Sequence, residues 1–119
     1  MDFYLSPTLG WSTGVKNSHL EDLQQVSART APLDLLVSRG DVPSHIRLAK
    51  IYIEGFEMEG LRCMQNVLAT SRPILVLEIN TQMLHAQGTS PSEIVRFVES
   101  FEYRMSRIDK GLRWWRRRD

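Results

Sequence analysis

Two acidic residues are best placed to do chemistry, because each stands at the end of a short apolar run that is typical of a β-strand. Glu54 follows the run 48–53 and precedes Gly55, which predicts a sharp turn. Glu78 lies near the end of the run 74–79. In open α/β sheets, ligands bind at the carboxyl ends of the strands. A carboxylate there can orient a substrate hydroxyl or act as its general base.

The surroundings of these carboxylates leave more than one interpretation open. If 48–53 is one continuous strand, Lys50, Tyr52 and Glu54 share a face. Glu54 could instead accept hydrogen bonds from the first amides of the helix that follows. We expect Glu78 to lie beside Glu54 on the same rim, where the pair could shape a substrate pocket or simply end two strands in solvent. Glu57, in the first helical turn, is expected to complement the helix dipole.

The elements that must position these residues alternate between strands and helices. The near-continuous apolar run 74–79 is typical of a strand buried on both faces. Ser90-Pro91-Ser92-Glu93 is a capping box with proline at the first helical position. The order of elements predicts an α/β fold, with a mostly parallel sheet and flanking helices. The predicted strands are 3–5, 48–53, 74–79, 103–108 and, at an edge, 112–115. The predicted helices are 30–36 (stopped by Gly40), 56–71 and one from Pro91 through Phe101. Residues 9–18 are a predicted loop, and 25–30 is either strand or helix.

Composition excludes several classes of protein. A length of 119 residues and a hydrophobic content of 42% indicate one packed domain spanning 1–119. Cys63 is the only cysteine, and we expect it to be semi-buried on a helix, so neither a disulfide nor a cysteine nucleophile is predicted. His19, His45 and His85 show no ligand spacing, so no metal site is predicted. There is no signal peptide and no apolar run of roughly 18 residues, so we expect a cytoplasmic protein without a membrane span.

The C-terminal segment concentrates positive charge although the whole chain has a net charge of only +1. Residues 104–119 contain seven basic and two acidic residues, and we treat 110–119 as a basic tail. The run Trp114-Trp115-Arg116-Arg117-Arg118 joins aromatic rings to cations, which could bind nucleic acid or an anionic lipid surface. Such a tail is more often a solvated terminus, so nucleic acid is not expected as a partner.

The residues around Glu54 resemble a family signature. Lys50-Ile51, Glu54-Gly55-Phe56-Glu57 and Leu61 resemble the Lys-Ile-Asp-Val-Glu-Gly-(Phe/Ala)-Glu pattern of FkbM-type methyltransferases. Four flanking segments are also similar to that family: the strand 3–5 with the loop 10–12 behind it, 30–36 before the central strand, 72–80 as the next strand, and 90–103 as the following helix and turn. The resemblance covers most of the chain and matches the C-terminal half of the family domain.

The resemblance implies an S-adenosylmethionine-dependent transferase with a Rossmann-like sheet that methylates a hydroxyl of a small metabolite or sugar. Glu54 and Glu78 are the implied catalytic residues. The seven glycines form no Gly-x-Gly, so we expect the front, cofactor-binding half of the sheet to be missing, and we assign no residue to the cofactor. Tyr52 stands where the family has Asp, and a phenol with a pKa of about 10 cannot replace a carboxylate as a base.

These observations favour a truncated methyltransferase that is not competent for catalysis alone. The alternative is a non-catalytic remnant or a partner subunit that acts through protein association. A third hypothesis is a binder of anionic polymers through the basic tail. Without neighbouring strands, 48–53 would expose Leu48, Ile51 and Ile53 at a sheet edge, which predicts a homodimer joined through that edge. The strand 3–5 could instead fold back and cover it.

Overall fold

The computed structural model describes residues 2–6, 11–13, 24–107 and 112–117. They divide into two units, Met1–Thr30 and Ala31–Asp119. The first unit is a three-stranded antiparallel sheet in which β1 (Asp2–Ser6) lies between β2 (Trp11–Thr13) and β3 (Gln24–Ser27). The predicted strand 3–5 is therefore confirmed, and the ambiguous stretch after residue 24 begins as a strand. The predicted loop 9–18 contains β2, and its remaining residues lie outside the described ranges.

The second unit is an α/β structure built on a mixed four-stranded sheet. Its strands are β4 (Leu48–Ile51), β5 (Ile74–Glu78), β6 (Tyr103–Arg107) and β7 (Leu112–Arg117), and they lie in the order β4-β5-β7-β6. Strands β4 and β5 are parallel, with Leu48 opposite Ile74 and Ile51 opposite Leu77. Strand β7 runs antiparallel to both β5 and β6. The predicted α/β class and the parallel pair are confirmed. The prediction of a mostly parallel sheet was wrong, because both pairs that involve β7 are antiparallel, and the placement of the last strand at an edge was also wrong.

Within the described part of this unit five short helices accompany the sheet, and their apolar residues form the core on one of its faces. They are α1 (Leu33–Arg39), α2 (Glu57–Arg62), α3 (Gln65–Thr70), α4 (Thr81–Ala86) and α5 (Pro91–Glu99). The side chains that exclude solvent completely are Leu61, Leu68, Leu75, Leu77, Leu84, Ile94, Val98 and Tyr103. None of the helices in the described ranges has the length and apolar character needed to cross a bilayer.

Strand β5 is buried on one face only, which corrects the expectation of burial on both. Leu75 and Leu77 are fully buried, but Ile74, which points the other way, keeps 47% of its surface exposed. Its partner on β4, Leu48, is 59% exposed. Continuous apolar sequence therefore did not distinguish a strand covered by helices on both sides from one covered on a single side.

The helix predicted over 56–71 is two helices, because the chain breaks at Cys63–Met64. The break is stabilised from α1, where the backbone N–H of Asp34 donates to the Cys63 carbonyl at 3.0 Å. Cys63 ends α2 and is exposed, so its expected semi-buried position was wrong. A periodic apolar pattern survives such a break, since both helices face the same core.

Two helix ends lie where capping residues in the sequence predicted them. In α5 the Ser90 N–H donates to Glu93 Oε2 at 2.7 Å, and Ser90 Oγ accepts from the Glu93 N–H, so the predicted capping box is confirmed. Gly40 ends α1 in the left-handed region at φ 79°, also as predicted. Helix α4 was not predicted, although Asn80, which accepts from two amides of its first turn, is a recognisable N-cap.

Candidate functional site

The candidate site lies at the carboxyl ends of the two parallel strands. Because Ile51 pairs with Leu77, Tyr52, the first residue after β4, and Glu78, the last residue of β5, lie at the same edge of the sheet. Strand β4 ends at Ile51, two residues earlier than predicted. Tyr52 is 53% exposed, so its phenol is open to solvent at this rim.

Tyr52 brings the two predicted acidic residues into one cluster. The negative charge of Glu78, that of Glu54 and hydrogen bonding to Glu54 together raise the pKa of the Tyr52 phenol above its ordinary value. The Nζ atom of Lys50 lies 5.4 Å from the centre of the Tyr52 ring, within the range of a cation–π contact. The structure therefore places Glu54 and Glu78 around one phenol, while their catalytic role remains a prediction.

Glu54 occupies a turn rather than a strand. Its φ of 52° lies in the left-handed region, which costs a non-glycine residue about 1–2 kcal/mol. The turn closes with a hydrogen bond from the Phe56 N–H to the Ile53 carbonyl at 3.3 Å. The expectation that Lys50, Tyr52 and Glu54 share one strand face was wrong, because the strand has already ended when the chain reaches Tyr52.

Glu57 binds the backbone of this turn. Its Oε2 accepts from the Gly55 N–H at 3.0 Å, and its Oε1 accepts from the Ile53 N–H at 3.3 Å. The residue is only 1% exposed, and burial raises the pKa of its carboxyl although the backbone donors oppose that shift. Within the described ranges no backbone N–H of α2 donates to the Glu54 side chain, whereas Glu57 accepts from the backbone of the turn that precedes the helix.

Gly55 fixes the turn from the other side. Its φ is 104°, and a Cβ added to it would lie 2.7 Å from the carbonyl oxygen of Met83 in α4. No side chain fits in that space. The Glu-Gly pair was found from the sequence, but Met83 was not, because its contribution is a backbone atom of a helix 28 residues further along the chain.

Other candidate residues are not assembled into a site. Over the described residues, no three His, Cys, Asp or Glu side chains come together in a way that could hold a metal ion. His45 and His85 are exposed, and His19 lies outside those ranges. Residues 112–117 of the predicted basic tail form strand β7, and Arg118 lies outside the described residues.

A parallel strand pair flanked by helices, with polar residues at its carboxyl edge, is the arrangement of the Rossmann-like class of α/β proteins. The family model of the methyltransferase FkbM domain matches residues 1–105 of the 119, and the chain belongs to that family. The resemblance found in the sequence is thereby confirmed. No curated protein and no solved structure matches the chain.

Proposed function

We propose that this chain acts in S-adenosylmethionine-dependent methyl transfer to a hydroxyl group of a small metabolite or sugar. The observation that supports this most directly is the cluster of Tyr52, Glu54 and Glu78 at the carboxyl edge of β4 and β5. Membership of the FkbM family supplies the reaction class. The rim supplies two carboxylates that can accept a hydrogen bond from a substrate hydroxyl.

The described residues include carboxylates that can bind a substrate hydroxyl, but they include no glycine-rich turn that could bind the cofactor. The glycine turn at the end of β4 is filled by the Met83 carbonyl, so its backbone cannot approach a ligand closely. The sequence contains no Gly-x-Gly that could take over this role. We therefore assign only the acceptor side to these residues, and we propose that the 119-residue chain does not catalyse transfer alone.

On the acceptor side, Glu54 is the proposed general base. At neutral pH a carboxylate can hold a substrate hydroxyl by accepting its hydrogen bond, and can take its proton as the oxygen becomes nucleophilic. Glu78 adds negative charge beside Glu54 and so favours binding of a neutral, hydroxyl-rich acceptor. Tyr52, with its raised pKa, remains protonated and acts as a hydrogen-bond donor.

A chimera tests this assignment. It is a complete enzyme of the family in which residues 48–103 of this chain replace the corresponding segment. If Glu54 is the base, Glu54→Gln should lower kcat about 10²- to 10⁴-fold. Glu99→Gln, at an exposed position of α5, serves as the matched control and should leave kcat unchanged. Tyr52→Asp, which restores the family residue, should raise kcat. Equal kcat values for the chimera and its Glu54→Gln variant would remove Glu54 from the chemistry.

A second candidate function is association through β4. In the second unit, β4 is the outer strand of the sheet as far as the chain is described, and Leu48 and Ile74 together expose apolar surface beside its free edge. Unpaired edges of this kind pair with other chains. This supports a non-catalytic subunit that forms a dimer, with edge pairing as the contact.

Light scattering at micromolar concentration tests the association. We expect a mass of about twice the 13.8 kDa chain, and we expect Leu48→Lys to give the monomer. Leu35→Lys is the matched control, because Leu35 is also exposed but lies on α1. A monomeric wild-type chain would exclude edge pairing and favour an edge covered from within the chain.

A further inference from the structure

Glu57 binds the backbone N–H groups of the residues on both sides of Glu54. One oxygen binds the N–H of Ile53, just before Glu54, and both oxygens lie within hydrogen-bond distance of the N–H of Gly55, just after it. The carboxylate is almost fully buried, so water competes little for these bonds. We infer that Glu57 is a positioning residue, which holds the Glu54 side chain at the rim by fixing the backbone of the Ile53–Gly55 turn.

The backbone of Glu54 needs such support. A left-handed φ at a glutamate is unfavourable by itself and persists only where the surroundings fix it. Gly55 is held on one side by Glu57 and packs on the other against the Met83 carbonyl. The turn is therefore clamped between a buried carboxylate and a helix backbone, and releasing the carboxylate leaves Glu54 free to return to an extended conformation.

Tyr52 reports the position of Glu54 independently of any catalytic activity. The groups that raise its pKa are Glu78 and Glu54, and Glu57 is not among them. A substitution of Glu57 can therefore change the pKa of Tyr52 by moving one of those two carboxylates or by changing the desolvation of the phenol, and a Glu54→Gln background separates the two routes. Since Glu57 binds the turn that carries Glu54, the effect should run through Glu54.

The experiment is a double-mutant cycle read by ¹³C NMR titration of labelled tyrosine in the full chain. The chain has three tyrosines, and a Tyr52→Phe variant assigns the resonance. We expect Glu57→Ala to lower the pKa of Tyr52 towards the ordinary value of about 10. Glu54→Gln should lower it by at least as much, and adding Glu57→Ala to Glu54→Gln should produce no further shift. In a Glu78→Gln background the effect of Glu57→Ala should persist in full.

Two comparisons separate positioning from general loss of structure. Glu57→Gln keeps one acceptor oxygen for the turn, so the pKa of Tyr52 should lie between the wild-type and Glu57→Ala values. Glu99→Ala, on exposed surface, should leave it unchanged. If Glu57→Ala unfolds the chain, the same cycle is run with Glu57→Gln.

The inference is overturned if Tyr52 keeps its pKa in both Glu57 variants. It is equally overturned if the shift in the pKa of Tyr52 caused by Glu57→Ala is as large in the Glu54→Gln background as in the wild type. The measurement follows the position of Glu54 and not methyl transfer, so its failure would leave the proposed function untouched.

Discussion

The side chain of Asp34 caps helix α3 through its second residue, Asn66, which lies 32 residues later in the chain. Oδ2 of Asp34 accepts from the Asn66 N–H at 2.9 Å, and Oδ1 accepts from the Val67 N–H at 3.1 Å. Helix α3 has Met64 at its N-cap position, a residue that cannot accept these bonds. The cap is therefore supplied from α1, and it joins the two helices at the point where the predicted long helix breaks.

Asp34→Ala should lower the free energy of unfolding by about 1–2 kcal/mol, the usual cost of a lost N-cap. Urea denaturation followed by circular dichroism gives this value. The matched control is Asp41→Ala, at an exposed position just after α1, which should change stability by less than about 0.5 kcal/mol. Equal effects of the two substitutions would show that the cap contributes little.

Gly55→Ala should destabilise the chain more than Gly88→Ala does. Both glycines have a positive φ, so each substitution costs about 1 kcal/mol in backbone strain. Nothing lies within 4 Å of a Cβ at Gly88, whereas a Cβ at Gly55 meets the Met83 backbone at 2.7 Å. We expect a further 1–3 kcal/mol, roughly, from that overlap. Thermal or urea unfolding of the two variants checks the difference, and similar losses would contradict the close packing.

Stability should depend on pH through Glu57. Burial raises the pKa of its carboxyl above the unfolded value, so the folded state binds the proton more tightly. The stabilising contribution is complete below the ordinary glutamate pKa and is lost as the pH rises through the raised pKa. Urea midpoints measured across that window should fall with increasing pH in the wild type and fall less in Glu57→Gln. An identical slope in both would show that Glu57 titrates normally.

The 119-residue chain should not bind S-adenosylmethionine with a dissociation constant of tens of micromolar or tighter. The sequence lacks a Gly-x-Gly turn, and the turn at Gly55 is closed by Met83. Calorimetric titration with the cofactor and with its demethylated product measures this directly. Tight binding of either compound would show that residues other than a glycine-rich turn hold the cofactor.

Much of this fold could be predicted because its signals are local. The capping box at Ser90 and the glycine stop at Gly40 depend on residues close together in sequence, and the parallel strand pair was predicted from the order strand, helix, strand. The break between α2 and α3 could not be predicted, because it depends on Asp34 in another helix.

The candidate site shows the same division. The rim carboxylates Glu54 and Glu78 were found from the strand ends, and the structure brings both to Tyr52. The role of Glu57 was missed, because a glutamate in a first helical turn is usually solvent-facing, and the sequence alone does not show that this one is buried. The Met83 contact was missed because it is made by a backbone carbonyl oxygen, which every residue type carries.

The interior position of β7 has a consequence for synthesis of the chain. Residues 112–117 are the last of the second unit's strands to leave the ribosome, yet they lie between β5 and β6. Over the described ranges, β6 pairs with no strand other than β7, so it has no sheet partner until the last strand arrives. The four-stranded sheet can therefore close only after residues 112–117 have been synthesised, and nascent chains that stop before residue 112 cannot complete it.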